Sequence, residues 1–416
     1  MATTLVFGEQ VSVIAALGFT VREFTLNSSQ LNGDDVLDGT PEGLDIAPYV
    51  QRLSISRGRS DQFSSFRAGT ATIVLNNNDR RFDPINTASP YWNPTTNSSG
   101  VTPRRRVEIA SGGNTPLFTG RITDIDIDYD HDLSTCTITA SDDFVLLANT
   151  FTGAAFTPSA ELSGARVLTI LNLPEVDYPA ATRNIDTGVA ALGAYQIDAN
   201  TNAAGYLQRV AEAEQGLFYV SADGTLTFTD RVTSSFAAPV ATFSDTGSDI
   251  SYTGLATIYG QEFLFNRVQT QTETGAVQTA DDATSQTEYG ISTLALDGLL
   301  LASDGAALTL ADKLLSLYKN PEYRFDDLQV LASALDSADR NLLMSLDMGD
   351  VITVTRTFST GSPASVSDDY AIERITHQIT PDRHIVTLGL YVADLVNPFT
   401  LNDAVFGRLD EQNAVT

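Results

Sequence analysis

The sequence predicts a mostly β protein with an inserted α+β domain. Apolar and polar residues alternate over 52–76 and again over 351–392, as in strands that bury one face. Between these regions, 202–215 has the apolar spacing of a helix, with Asn202 as a possible cap. The dipeptide Asp223-Gly224 then lies between two apolar runs, which is the pattern of a β-hairpin.

Composition changes along the chain predict five segments. A Gly-, Asp- and Pro-rich stretch over 27–48 separates an N-terminal part from the rest, and the strand pattern gives way to helical spacing after Asp142. The segments are N-terminal strands or an arm (1–49), a first β domain (50–150), the α+β domain (151–238), a second β domain with a helix at 306–318 (239–394) and a C-terminal tail (395–416).

The stretch 52–84 is predicted to be two strands joined by a loop. Gly58 breaks the first strand, and 60–67 reads as too polar to hold a core position. The second strand covers 68–76, and 76–80 has the Asn and Asp residues of a turn. A further polar stretch, 272–287, is predicted to be a linker-like loop.

Two segments of the chain have the same pattern. In the first, a strand at 106–110 precedes Arg121-Ile122-Thr123, and a turn leads to a strand at 135–140. In the second, a strand at 351–356 precedes Arg374-Ile375-Thr376, and a turn leads to a strand at 385–390. The identity is low, so chance similarity of two hairpins is an alternative. A true repeat would give two small β-barrel domains per chain, and a trimer would then present six around an axis.

Charge and cysteine content exclude several classes of protein. The formal net charge of −28 argues against a surface that grips nucleic acid, which needs clustered cations. Cys136 is the only cysteine, so an intrachain disulfide is excluded and a buried thiol is expected. The apolar run 11–21 is too short to span a bilayer, and no positively charged leader precedes it. We therefore expect the protein to be made and assembled in the cytosol, with no membrane span.

A long Pro-, Asn- and Ser-rich loop over 85–103 carries Tyr91 and Trp92. It could cover the core or contact a partner, because aromatic residues and arginines are frequent interface anchors. Arginine forks also suit partly desolvated ion pairs better than lysine does. The predicted partner contacts are Arg57, Arg59, Arg80, Arg81, Tyr91, Trp92, Arg104, Arg105 and Arg106.

Five aspartates recur at every second position between 124 and 132, with apolar residues between them. On one strand these carboxylates share a face, roughly 7 Å apart, and repel one another unless they are solvated or matched by cations. The stripe is interpreted as a solvated face, as the acidic lining of a pore or, least favoured, as a calcium site. The calcium pattern lacks the Gly and Glu of an EF-hand loop. The residues are Asp124, Asp126, Asp128, Asp130 and Asp132.

Neither a catalytic site nor a cofactor is predicted. His377 and His384 flank a four-residue turn and are interpreted as rim residues of a hairpin, since no third metal ligand is evident. Sequence motifs of serine hydrolases, zinc proteases, phosphate-binding loops and dinucleotide-binding folds are absent. A carboxylate pair of a glycosidase could be hidden among the 52 acidic residues, but no second feature supports it.

Several motifs, in order, resemble the hub or tail-tip proteins of long-tailed bacteriophages, also called minor tail proteins. The motifs are Arg57-Gly58-Arg59, Ala68–Asn76, Asn78–Pro84, Ser89-Pro90-Tyr91, Arg106-Val107, Leu117–Ile122, Leu217–Arg231 and Val351–Val354. The resemblance implies a trimeric hub with two barrel domains per chain, docked under a hexameric tail tube.

The resemblance implies a structural role in the virion, at the tip of the tail. The expected partners are a hexameric distal tail protein, the end of the tape measure protein, and tail fibre or spike proteins. The hub would adapt six-fold to three-fold symmetry and close the tube until genome ejection, with the aspartates as a non-adhesive lining for DNA. The alternatives are a receptor- or glycan-binding tail protein with Trp92 stacked on sugar, and a peptidoglycan-degrading tip enzyme.

Overall fold

The computed structural model describes residues 11–18, 43–61, 63–112, 114–130, 133–235, 237–247 and 249–392, with only the backbone at 234–235. About 42% is strand and 20% helix, so the predicted mostly β class is confirmed. Most of the N-terminal arm, the C-terminal tail and Asp132 lie outside the described residues.

The strands of the first β region follow the alternation that the sequence predicts. They are β1 (Val11–Ala15), β2 (Leu44–Asp45), β3 (Val50–Gly58), β4 (Arg67–Asn76), β5 (Trp92–Asn93), β6 (Ser98–Ser99), β7 (Arg106–Ser111), β8 (Thr115–Tyr129) and β9 (Ser134–Ser141).

Helices and short strands follow. They are α1 (Phe144–Ala148), β10 (Glu161–Leu162), α2 (Ser163–Leu171), β11 (Arg183–Ile185), β12 (Ala191–Leu192), α3 (Ala203–Glu214), β13 (Leu217–Val220), β14 (Leu226–Thr229) and α4 (Arg231–Ser235). The side chain of Asn202 caps α3 by accepting from the Gly205 N–H at 2.9 Å, as predicted. The left-handed residue at the end of α3 is Gln215, directly before Gly216.

The last third returns to strands. Its elements are β15 (Ala241–Ser244), β16 (Ile250–Ser251), β17 (Gly254–Ile258), β18 (Arg267–Thr272), β19 (Gln278–Asp281), α5 (Ala283–Tyr289), β20 (Thr293–Leu299), α6 (Asp304–Tyr318), β21 (Arg324–Leu331), α7 (Ser337–Ser345), β22 (Val351–Thr357), β23 (Ser365–Thr380) and β24 (Arg383–Val392). Short 3-10 helices cover Ala47–Tyr49, Ala180–Thr182 and Ala332–Ala334.

One large, mainly antiparallel sheet joins the two β regions. Its strand order is β16-β15-β22-β23-β3-β4-β9-β8-β7-β1-β2, and β24 and β21 continue from β23 to β17. The recorded pairings among the described residues do not close a barrel, so the two-barrel arrangement stays a prediction.

The buried apolar residues form two main hydrophobic cores. The first lies under the large sheet and contains residues of both β regions, such as Ile73, Ile138 and Leu388. The second combines α1, α2 and α3 with α6 and β18, so 144–228 and 268–318 pack together. Domain boundaries at 150 and 238 therefore remain predictions, while α6 packs with the helical part of the chain.

Two stretches differ from their predicted structure. The segment 272–287 contains β19 and most of α5, and Asp282 caps that helix by accepting from the Ser285 N–H. In the loop after β3, Phe66 is buried against Leu217 and Met348. The prediction that 60–67 holds no core position is therefore wrong, because Phe66 is buried and Phe63 is half-buried although their neighbours are polar.

Candidate functional site

Two units of five strands share one order. In the first unit the order is β7-β8-β9-β4-β3, and in the second it is β22-β23-β24-β21-β17. Each unit is a three-strand meander whose last strand pairs with a two-strand antiparallel ribbon from earlier in the chain. The units differ at their outer edges, because β1 adds to β7 antiparallel whereas β15 adds to β22 parallel.

The two long hairpins are equivalent residue by residue. Arg121 pairs with Ser141 in the first unit, and Ala371 pairs with Tyr391 in the second, 250 residues later for each strand. The same spacing relates the other pairs down to Tyr129–Ser134 and Ile379–His384. Both hairpins carry their register shift at the same point, between residues 122 and 124 and between residues 372 and 374.

This equivalence refines the repeat predicted from the sequence. The two segments do correspond strand by strand, but Arg121 is equivalent to Ala371 and not to Arg374. Arg374 is equivalent to Asp124, immediately after the bulge. The short Arg-Ile-Thr match therefore lies in equivalent strands but is displaced by three residues.

A six-residue strand pairing joins the units within the chain. Residues 374–379 of β23 pair with residues 58–53 of β3, and Ser56 lies opposite Thr376. Gly58 at the end of this pairing has φ of 112°, and a Cβ there would lie 2.1 Å from the Glu373 carbonyl oxygen. Only glycine fits this junction without a backbone shift.

The outward face of the joined units is lined mostly by small polar side chains. Alternate residues of β9, β4, β3 and β23 point away from the core, which is the expected period of two. The residues are Thr135, Thr137, Thr139, Thr70, Thr72, Ser54, Ser56, Thr376 and Gln378.

The aspartate stripe lies on this face. Asp124, Asp126, Asp128 and Asp130 are exposed on or just after β8, while the residues between the first three pack partly on the core. The described aspartates therefore share one face of the sheet, as predicted. The pore-lining role stays a prediction.

The side chains of Arg57 and Arg59 point towards the interior of the protein. Arg57 is buried, and its Nη1 donates to Asp347 Oδ1 at 2.7 Å. Arg59 pairs with Glu373 at 3.4 Å and stacks on the rings of Phe66 and Tyr391. Arg59 thus holds the loop after β3 against the second unit, and Arg57 links β3 to the segment before β22.

The loop after β3 is also held by its aromatic residues. Phe63 packs edge-on against Phe265 and Tyr318. Between this loop and α3 lies a cavity of about 120 Å³, lined also by Gln208 and Glu212.

The turn after β4 and the next loop form a compact layer. Arg80 pairs with Asp83 at 2.6 Å, and Arg81 lies 3.9 Å above the ring of Tyr49. Tyr91 is buried and stacks on Phe82 at 5.4 Å, so it covers the core.

Besides the exposed Arg80, four of the proposed contact residues keep surface available. Trp92 is half-buried in the two-residue strand β5. Arg104 and Arg106 are exposed, with Arg106 paired to Glu108 at 2.6 Å, and Arg105 is half-buried. Partner contact by all of the predicted residues remains a prediction.

The two histidines are buried, so their assignment to a hairpin rim is wrong. His377 Nδ1 and His384 Nε2 lie 3.0 Å apart beneath the polar face. Burial, followed by the neighbouring His384, lowers the pKa of His377 well below 6.5. His377 is equivalent to Ile127, which explains its inward direction.

Two carboxyl groups, those of Asp142 and Glu373, are buried. Asp142 accepts from the Gly69 and Phe144 N–H groups at 2.7 and 3.0 Å. Burial nevertheless raises the pKa of Asp142 to about 7, and it raises that of Glu373 to about 7. Sequence reasoning gave no signal for either, because each is one acidic residue among many.

Neither a metal-ligand cluster nor a membrane-spanning helix occurs in the described part of the chain. No group of three or more His, Cys, Asp or Glu side chains there is arranged around a common point. No helix within the described ranges is long and apolar enough to cross a bilayer.

The fold is that of phage tail proteins. The chain is similar to a 43 kDa tail protein of prophage MuSo2 from Shewanella oneidensis, with a TM-score of 0.58 over 93% of this chain and 99% of that one, at 12% identity. It is also similar to a tail protein from Neisseria meningitidis MC58, with a TM-score of 0.57 over 92% and 96% of the chains, at 11% identity.

No family model matches the sequence, and no curated protein matches it. The similarity to phage tail proteins is therefore found in the fold, and it confirms the predicted resemblance.

Proposed function

We propose that this protein is a structural hub of a phage tail tip. Three copies would form a ring of six similar units that matches a hexameric tail tube above and a three-fold tip below. The observation that supports this most is the residue-by-residue equivalence of the two hairpins, β8–β9 and β23–β24, within a phage tail protein fold.

The polar face supports a passage for DNA. Thr, Ser and Asp side chains bring no cluster of cations to hold phosphates, so a duplex would slide along such a surface during genome ejection. We assign Asp124, Asp126 and Asp128 to this lining. The hub is not an enzyme in this proposal, and it closes the tube until ejection.

The partners in this proposal are the distal tail protein ring, the tape measure protein, and tail fibre or spike proteins. Among the predicted contact residues, Arg80, Arg104 and Arg106 are exposed, and Trp92 and Arg105 are half-buried. The protein would thus assemble in the host cytoplasm and remain at the tail tip of the virion.

Mass photometry of the purified chain tests the proposal. The expected result is a species of three times the 44.6 kDa chain mass, and negative-stain images of it should show a ring with six lobes. A chain that stays monomeric at micromolar concentration, or a ring with another number of lobes, would contradict the hub assignment.

A further inference from the structure

The strand β20 has a partner on one side only. It pairs in parallel with β18, which separates it from β19 in a three-stranded sheet. Among the described residues, no backbone group of 293–297 makes a hydrogen bond beyond this pairing. Thr293, Ala295 and Asp297 are exposed along the strand. An unpaired edge of this kind is a template on which another strand can add.

The cavity between the loop after β3 and α3 lies beside this edge. It has a volume of about 120 Å³, and Leu296 of β20 lines it together with Phe66 and Phe218. Arg209 of α3 donates to the Gly298 carbonyl at 2.7 Å, which holds α3 next to β20. Because a cavity of roughly 150 Å³ accommodates benzene, this one has room for a single side chain.

The unpaired charges around the cavity are negative. Glu212 lines the cavity from α3, Asp297 lies next to Leu296 on β20, and both are exposed. Neither carboxylate has an ion pair among the described residues. Arg59, which lines the cavity, and Arg209, one turn before Glu212, are already paired with carboxylates. The site therefore favours an incoming cation over an anion.

We propose that an extended segment of a partner protein adds to the edge of β20 and places a lysine side chain in the cavity. The residue opposite Leu296 in the added strand projects towards the same face as Leu296, which is the face that lines the cavity. The apolar walls contact the four methylene groups of the lysine, and its ammonium group donates to the Glu212 carboxylate.

The lysine must come from another protein. The chain has only two lysines, Lys313 within α6 and Lys319 directly after it. Neither belongs to an extended segment, so a second copy cannot supply the added strand. This site needs neither a ring nor DNA, and the inference therefore stands apart from the proposed hub.

Fluorescence anisotropy with a labelled peptide tests the strand addition. The probe has seven residues, the length of β20, with threonine and valine around one central lysine. Two further peptides carry N-methyl groups on alternate residues, in one phase or in the other. Because alternate N–H groups of a strand point to one neighbour, one phase should abolish binding and the other should retain it. Equal binding of the two methylated peptides would overturn the strand addition.

The lysine contact is tested from both sides at physiological salt. Acetylation of the lysine in the probe removes its charge, and Glu212→Gln removes the charge of its acceptor. Each change should weaken binding by about tenfold, the range of a charge-assisted hydrogen bond. The control Asp368→Asn removes one charge from an exposed position of β23 and should bind the probe as the unmodified chain does.

Two results would overturn the assignment of the cavity. One is equal weakening by Glu212→Gln and Asp368→Asn, which would mean that the peptide only responds to the net charge of −28. The other is no binding of the lysine peptide at millimolar concentration. Mass photometry of the same samples reports the oligomeric state, so a failure of this site is distinguishable from a failure of the hub.

Discussion

Acidification should destabilise the protein through the buried pair of His377 and His384. Their nitrogens are 3.0 Å apart, and this hydrogen bond requires at least one neutral ring. The pKa of His377 lies well below 6.5 because of burial and the neighbouring His384. Above pH 6.5 this ring is neutral in the folded and the unfolded chain. Below pH 6.5 His377 binds a proton in the unfolded chain but not in the folded chain. The free energy of unfolding therefore decreases as the pH is lowered.

The size of the effect follows from the width of this pH window. One pKa unit corresponds to about 1.36 kcal/mol, so a His377 ring that stays neutral in the folded chain down to pH 5 lowers the free energy of unfolding by about 2 kcal/mol. The comparison is the double variant His377→Ile, His384→Ser, which introduces the residues found at the equivalent positions 127 and 134. Urea unfolding followed by circular dichroism at pH 7, 6 and 5 measures both proteins.

Titrating groups other than these two histidines are common to both proteins and cancel in the difference. The pKa values of Asp142 and Glu373 are raised to about 7, so the folded chain binds these protons first and acidification below pH 7 stabilises it through them. The free energy of the native protein, minus that of the double variant, should therefore fall by about 2 kcal/mol from pH 7 to pH 5. A difference that is constant with pH would refute the reasoning.

Three further predictions concern the junction, a buried carboxylate and the exposed loop. Gly58→Ala should lower the free energy of unfolding by about 3 kcal/mol, because the new Cβ meets the Glu373 carbonyl, while Gly260→Ala, with nothing within 4 Å, should change it little in thermal unfolding. Asp142→Ala should cost about 2 to 3 kcal/mol in urea unfolding, since two buried N–H groups lose their acceptor; a cost below 0.5 kcal/mol would contradict this. Trp92→Ala should leave the melting temperature nearly unchanged and reduce the yield of infectious particles, whereas normal infectivity would argue against a contact there.

Strong local patterns were sufficient to predict several elements. The aspartates alternate with isoleucines over 124–128, and the structure separates the two sets onto opposite faces of β8. The helix α3 begins after its capping Asn202, as predicted. The hairpin around Gly224 forms because that glycine adopts a φ of 91° in the turn. In each case a few neighbouring residues determine the local backbone.

Elements stabilised by distant residues were not predictable in this way. The first third of β23, 365–370, is too polar to resemble a strand and is held by pairing with β22. Phe66 sits in a polar loop and is buried by Leu217 and Met348, far away in the sequence. The Arg-Ile-Thr motifs are displaced by three residues because the equivalence of the two hairpins is set by strand pairing and by the position of the bulge. Neither of these can be read from the identity of single residues.

The internal repeat also changes what a single substitution can do. A ring of six identical chains must accept every substitution six times, so each position has to suit all six places at once. Here two equivalent positions are encoded separately: Asp124 carries a negative charge where Arg374 carries a positive one. Arg374 pairs with Asp327 at 2.5 Å, an ion pair that its counterpart cannot form. The chain can thus specialise alternate units, one for an acidic surface and the other for internal bracing, while both keep the same backbone.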